Sequence, residues 1–81
     1  MNQEQLLKEV NEIFKDVLDN EDVVINFDTV ASDVDDWDSL NHIQLIAAIE
    51  KAFRIKFTST EIYQFKNVGE MISSINSKLN P

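Results

Sequence analysis

The residues of this sequence best placed to do chemistry are Trp37-Asp38-Ser39-Leu40. A run of apolar residues with helical spacing begins at Leu40, which predicts Ser39 at the start of a helix. A hydroxyl in that position faces solvent. The unpaired N–H groups and the positive end of the helix dipole beside it favour an attached anion such as a phosphodiester. Asp38 and Ser39 are both strong N-terminal caps, and a carboxylate at 38 can also help a modifying enzyme position a divalent metal. On local sequence alone, Asp-Ser-Leu is a weak three-letter match, and a plain helix cap is the favoured reading.

Two other chemistries compete for the same residues. Ser39 and His42 lie three apart, roughly on one helical face, as a serine nucleophile and its base would. A chain this small offers no oxyanion hole or substrate cleft to complete a hydrolase, so no catalytic residue is assigned, no enzymatic activity is expected, and His42 is expected to be solvated or to face a partner. Asp33, Asp35, Asp36 and Asp38 resemble the opening of an EF-hand loop. With Asp33 at position 1, however, position 5 is Trp37, position 6 is Asp38 instead of glycine, and position 12 is Gln44 instead of a bidentate Glu. No metal site is assigned. Trp37 is expected to pin the end of a loop against the helices.

The elements that must position Ser39 follow from the spacing of apolar residues. Leu6, Val10, Ile13 and Val17, widened by Leu7, Phe14 and Leu18, predict a first helix over residues 2–18, with Asn2 and Gln5 forming its capping box. Residues 19–38 lose that period. Val23, Val24, Ile25, Phe27, Val30 and Val34 are scattered among Asp and Asn, which predicts a long loop lying across the helices as a packed strap. A second helix is predicted over residues 39–53, with Leu40, Ile43, Ile46, Ala47 and Phe53 on one face and Leu45 and Ile49 extending it. So apolar a helix is expected to be central. Thr58-x-x-Glu61 opens a short helix carrying Ile62 and Phe65. Asn67-x-x-Glu70 opens the last, with Val68, Met71, Ile72, Ile75 and Leu79 inward and Asn80-Pro81 after it. The fold class is all-α: a four-helix bundle of three main helices and one short helix, with a long loop between helices 1 and 2.

Eighty-one residues without cysteine and with one histidine predict a single domain over residues 1–81, held by packing alone, without disulfide or multi-histidine metal centre. No apolar run has the length of a membrane span, and the polar residues 1–4 do not read as a signal peptide, so a cytoplasmic monomer is expected, with no membrane partner. The net charge of −8 argues against a nucleic-acid partner. That charge is unevenly spread: residues 1–40 carry −10 and residues 41–81 carry +2. Acid concentrated before Ser39 suits docking by enzymes with basic patches, beyond its general effect on solubility.

Asp38-Ser39-Leu40, followed by Ile43, Leu45, Ile49, Glu50 and Phe53, then Ile55 and Phe57, then Val68-Gly69-Glu70, resembles the acyl and peptidyl carrier protein family across nearly the whole chain. The Trp-Asp-Ser-Leu form looks like a subgroup met in specialised bacterial biosynthesis. The resemblance implies that a phosphopantetheinyl transferase attaches 4′-phosphopantetheine to Ser39, with Asp38 as part of the recognised motif. It further implies that acyl or aminoacyl cargo rides as a thioester, in fatty acid, polyketide or secondary metabolite biosynthesis, and that loading, transfer or condensing enzymes are the partners. Asp33, Asp35, Asp36 and Leu40 are the expected docking residues, and Ile49, Phe57, Ile62, Phe65 and Met71 the expected border of an acyl pocket. Departures from the family pattern are Arg54 where glycine is usual, a second helix nearly free of net charge, and large side chains at 62 and 71. They point away from the housekeeping fatty-acid pathway. The alternative reading is an acidic helical interaction module with no prosthetic group.

Overall fold

Helix α1 (Gln3–Leu18) begins where Asn2 and Gln5 close on each other: the Gln5 N–H donates to Asn2 Oδ1 at 2.8 Å and the Asn2 N–H to Gln5 Oε1 at 3.0 Å. The computed structural model describes residues 2–79, so the expected Asn80-Pro81 ending lies outside the described residues. The buried line of α1 is Leu6, Val10, Phe14 and Leu18, one residue every turn. Ile13 and Val17, expected to lead, are half-buried at its flank. The helix stops at Asp19, whose left-handed backbone (φ 51°) turns the chain back.

Residues 19–38 form the strap expected from their composition, and the structure shows how its backbone is satisfied. Asn11 of α1 donates from Nδ2 to the Val23 carbonyl at 3.2 Å and accepts the Ile25 N–H at 2.7 Å. Val23 and Ile25 are thereby held into the core while Val24 between them is 81% exposed. Farther on, the carbonyls of Phe27 and Thr29 accept the N–H groups of Gly69 and Val68 at 2.8 and 2.9 Å. These are first-turn donors of the last helix, which have no partner within it. The strap therefore serves as that helix's cap. A short 3-10 turn (Ala31–Asp33), not foreseen in the loop, ends the crossing; Asp33 Oδ2 accepts the Val30 N–H.

Helix α2 (Ser39–Phe53) has the expected bounds, but its inward face is different. Leu45, Ile46 and Ile49 are buried, whereas Leu40 and Ile43 are 68% and 44% exposed and Ala47 is exposed. A helix apolar on nearly every side gives periodicity too little contrast to select a face. α1 packs against both α2 and the last helix. α2 ends at Arg54 in the left-handed region (φ 58°), and Glu50 Oε2 then accepts the Phe57 N–H to set the path onward.

The capping box of Thr58 and Glu61 starts α3 (Ser59–Gln64) as expected. Of the Asn67–Glu70 box that starts α4 (Val68–Leu79), only the Asn67 half forms, its Oδ1 accepting the Glu70 N–H. Val68, Met71, Ile72 and Ile75 are buried, and Leu79 is half-buried. All regular structure in the described residues is helical, with three main helices and one short one. No helix among them is long and apolar enough to cross a membrane.

Two backbone positions give opposite predictions. A Cβ on Gly69 would lie 2.8 Å from the Phe27 carbonyl oxygen. Relieving that contact strains the strap-to-α4 bond, and overpacking costs typically about 1–3 kcal/mol against about 1 kcal/mol of helix propensity gained. Gly69→Ala is expected to lower stability by about 1 kcal/mol, and by no more than about 2. Arg54→Gly removes a left-handed side-chain penalty and is expected to raise stability by roughly 0.5–1 kcal/mol. Urea titrations of both variants check the two signs.

Candidate functional site

Asp38 is the N-cap of α2: its Oδ1 accepts the Asn41 N–H at 2.8 Å, and its carbonyl accepts the His42 N–H at 2.8 Å. Asn41 returns the support, donating from Nδ2 to the Asp36 carbonyl at 2.7 Å. These bonds leave Ser39 at the first helical position, exposed. Among the described residues no group holds its hydroxyl, and the Ser39 and Leu40 N–H groups stay open beside it. With the cap bonds made by Asp38, the Ser39 oxygen is free to be derivatised.

The floor next to Ser39 is built by Trp37 and His42. The indole is buried, with the Phe14 ring edge-on at 4.9 Å and the His42 ring stacked at 6.0 Å. Its Nε1–H donates to His42 Nδ1 at 3.0 Å. His42 Nε2 lies 2.9 Å from the Ile62 carbonyl oxygen. An indole N–H only donates and a carbonyl only accepts, so the imidazole must be the tautomer with its proton on Nε2. A relay thus runs from the loop end through α2 to α3. Trp37 pins the loop as expected. His42 does the reverse of what was expected of it: it is half-buried, with both ring nitrogens committed within the fold.

Above this floor opens a cleft of about 350 Å³, lined by Asp38 and Ser39 from the start of α2 and by Ile62, Tyr63, Phe65 and Lys66 from α3 and the residues just after it. Of the residues singled out in the sequence, Trp37, Asp38, Ser39, His42, Ile62 and Phe65 meet here. Ile49, Phe57 and Met71 are buried in the core and do not line this cleft. Asp33, Asp35, Asp36 and Leu40 are exposed near the loop end, with Asp33 committed to the Val30 N–H. Sequence reasoning missed Ala31, Tyr63 and Lys66, which reach the cleft only through tertiary folding. His42 was detectable, since it precedes the buried Leu45 and Ile46 by three and four residues.

The far wall of the cleft, α3, is anchored to α4. Glu61 Oε1 accepts from the Thr58 N–H at 2.8 Å and from Lys78 Nζ at 3.0 Å, while Oε2 accepts from Ser74 Oγ at 3.2 Å. The Thr58 N–H, and after it the Lys78 ammonium, hold the Glu61 carboxyl down to about 2 from its ordinary 4.5.

Comparison with known proteins agrees with this geometry. Residues 8–75 match the family described as phosphopantetheine attachment site. A relative from Thermosynechococcus vestitus named acyl carrier protein is 31% identical, the alignment covering 98% of either chain. One of the same name from Petrotoga mobilis is 29% identical over 99% of this chain and 94% of its own. The solution structure of a holo acyl carrier protein from Geobacter metallireducens superposes with a TM-score of 0.84 at 38% identity, covering 90% of this chain and 84% of that one. The chain belongs to this family of phosphopantetheine-bearing carriers, which are carriers and not enzymes, and its prosthetic group is a covalently bound phosphopantetheine. The site fits such a group, because a phosphodiester needs a free hydroxyl and open N–H donors, and Ser39 with its helix end supplies both.

Two measurements probe the walls of the site. His42→Ala leaves the Trp37 N–H and the Ile62 carbonyl without partners, and is expected to cost about 1–3 kcal/mol in urea denaturation. For Glu61, a folded-state pKa below the unfolded one means a stabilising contribution that is complete above about pH 4.5 and is lost as pH falls toward about 2. Glu61→Gln should therefore be less stable than wild type at pH 6, and thermal melts of the two should converge as pH approaches 2.

Proposed function

We propose that Ser39 bears the phosphopantetheine arm and that the chain carries small or polar acyl groups on it for a specialised biosynthetic pathway. The observation that carries this reading is the exposed, uncommitted Ser39 hydroxyl at the first position of α2, immediately after the capping Asp38. When attached, the arm supplies a thiol that holds cargo as a thioester. The residues of the chain supply position. Asp38 fixes the helix end, the open N–H groups of Ser39 and Leu40 would be free to donate to the phosphodiester, and the Trp37–His42 floor anchors the attachment point.

The partners of this reading are a phosphopantetheinyl transferase and acyl-handling enzymes. Asp33, Asp35, Asp36 and the exposed Leu40 are the proposed docking residues. Acid clustered at the loop end favours fast, salt-sensitive encounter with a basic partner. The limit to small or polar cargo is supported by the core. Ile49 and Met71 are fully buried, and the Phe57 and Phe65 rings meet edge-on at 5.5 Å. Inserting a chain among close-packed side chains costs typically about 1–3 kcal/mol.

The test is intact mass after incubation with coenzyme A and a broad-specificity transferase. Wild type is expected to gain one phosphopantetheine. Ser39→Ala is expected to gain none while staying folded, losing only a few tenths of a kcal/mol or so because Asp38 is the cap. A mass gain on that variant places the attachment elsewhere.

A further inference from the structure

His42 ties three parts of the fold together through one small ring. Its Nδ1 accepts the Trp37 indole N–H at 3.0 Å, and its Nε2 donates to the Ile62 carbonyl at 2.9 Å. Those two bonds admit a single protonation state. The indole can only donate and the carbonyl can only accept, so Nδ1 must be bare while Nε2 carries the proton. The indole is buried, and a buried donor that loses its partner is costly.

We propose that His42 is a proton-operated latch on the loop segment that ends at Trp37. A second proton on the ring, at Nδ1, turns the acceptor into a donor. Two N–H groups then face each other across the space of one hydrogen bond, and the Trp37–His42 bond is lost. The Nε2–H bond to Ile62 is untouched by that proton and becomes charge-assisted. Acid therefore divides the relay: α2 keeps its hold on α3 and lets go of the loop end. Trp37 stays packed on the Phe14 ring, so the fold persists while the loop end loses this polar tie. The freed segment is the turn closed by the Trp37 N–H on the Val34 carbonyl at 3.0 Å, which carries the exposed Asp35 and Asp36. Histidine is the side chain whose ordinary titration lies between pH 5 and 8, and this chain has one. The charged or titratable groups that face the ring are Asp38 at the start of α2, Tyr63 of α3 and Lys66 just after it, all lining the same cleft. Asp38 accepts the Asn41 N–H through Oδ1. From the loop end and α1 come Trp37 and, behind it, Phe14, neither of which titrates.

The test is an NMR titration of the full-length chain, labelled with ¹³C and ¹⁵N, from pH 8 to pH 5. Trp37 is the sole tryptophan and His42 the sole histidine, so the indole N–H and the two ring nitrogens give unambiguous signals. At pH 8 the ring is expected to show a bare Nδ1 and a protonated Nε2. As Nδ1 gains its proton, the indole signal moves upfield in step, toward that of a tryptophan without an acceptor. The Ile62 carbonyl carbon keeps its hydrogen-bonded position over the same range. His42→Asn supplies an amide oxygen close to where Nδ1 stood and takes up no proton, so its indole signal is expected to stay fixed. The wild-type titration decides the matter even where that variant does not fold. A ring that gains the proton while the indole signal stays put overturns the proposal. So does a ring that remains neutral down to pH 5, a neutral ring with its proton on Nδ1, or an Ile62 carbonyl released ahead of the indole. An indole signal that moves as far in His42→Asn as in wild type overturns it as well.

Discussion

Trp37 is the residue on which the geometry around Ser39 depends. Its indole is edge-on to Phe14 of α1, stacked on His42 of α2 and hydrogen-bonded to that imidazole, which in turn reaches the backbone of α3. Three helices and the loop end are thus referred to one ring, two residues before Ser39. A large buried aromatic contributes several kcal/mol, since truncating such a residue costs about 3–5 kcal/mol. No other single contact near the site has that weight, for the capping and relay bonds contribute about 1 kcal/mol each. The loop end is therefore fixed by packing first and by hydrogen bonds second.

The same hierarchy decides what could be read from the sequence. Helix ends were legible where a local signal exists, as with Asn2 and Gln5, Asp38, and Thr58 with Glu61, because cap chemistry involves residues three apart. The strap was legible as a strap, because Val23, Ile25 and Phe27 are too apolar for a solvated loop. Its anchors were not, since Asn11 and the Phe27 and Thr29 carbonyls act across long sequence separations. The face of α2 was misread for a different reason. With Leu40, Ile43, Leu45, Ile46, Ala47 and Ile49 spread round the helix, two rotations bury similar apolar area, and tertiary contact with α1 selects between them. The choice that placed Leu45, Ile46 and Ile49 inward also brought His42 in and left Leu40 and Ile43 out beside Ser39. Of the candidate site, Ser39 at the helix start and Asp38 as its cap were legible, while the cleft they line together with Lys66 was not.

Charge in this chain has two distinct uses. Some carboxylates are spent locally on backbone N–H groups: Asp38 on Asn41, Asp33 on Val30, Glu50 on Phe57 and Glu61 on Thr58. Such bonds set the path of the chain and belong to stability. Asp35 and Asp36 have no such task and are exposed at the loop end, so their charge acts outward, within a Debye length of about 8–10 Å at ordinary ionic strength. Counting Asp and Glu in the first half of the sequence overstates the field near Ser39, because capping carboxylates are partly offset by the helix ends they serve.

Helix α3 draws these threads together. Six residues are too few for a helix to persist by itself, so its place is set by what holds it from outside. Those ties are the His42–Ile62 bond to α2, the Glu61 bonds to Ser74 and Lys78 of α4, and the Phe57–Phe65 ring contact, with the Lys78 ammonium 5.5 Å from the Phe57 ring centre. None of them involves the fully buried side chains that join α1 to α2 and α4. Loosening α3 therefore sacrifices a few bonds of about 1 kcal/mol each and the packing of the half-buried Ile62 and Phe65, whereas opening the three long helices exposes the whole core, and local opening follows the cheaper route. The wall of the cleft beside Ser39 is the part of this fold that can yield while the rest stays intact.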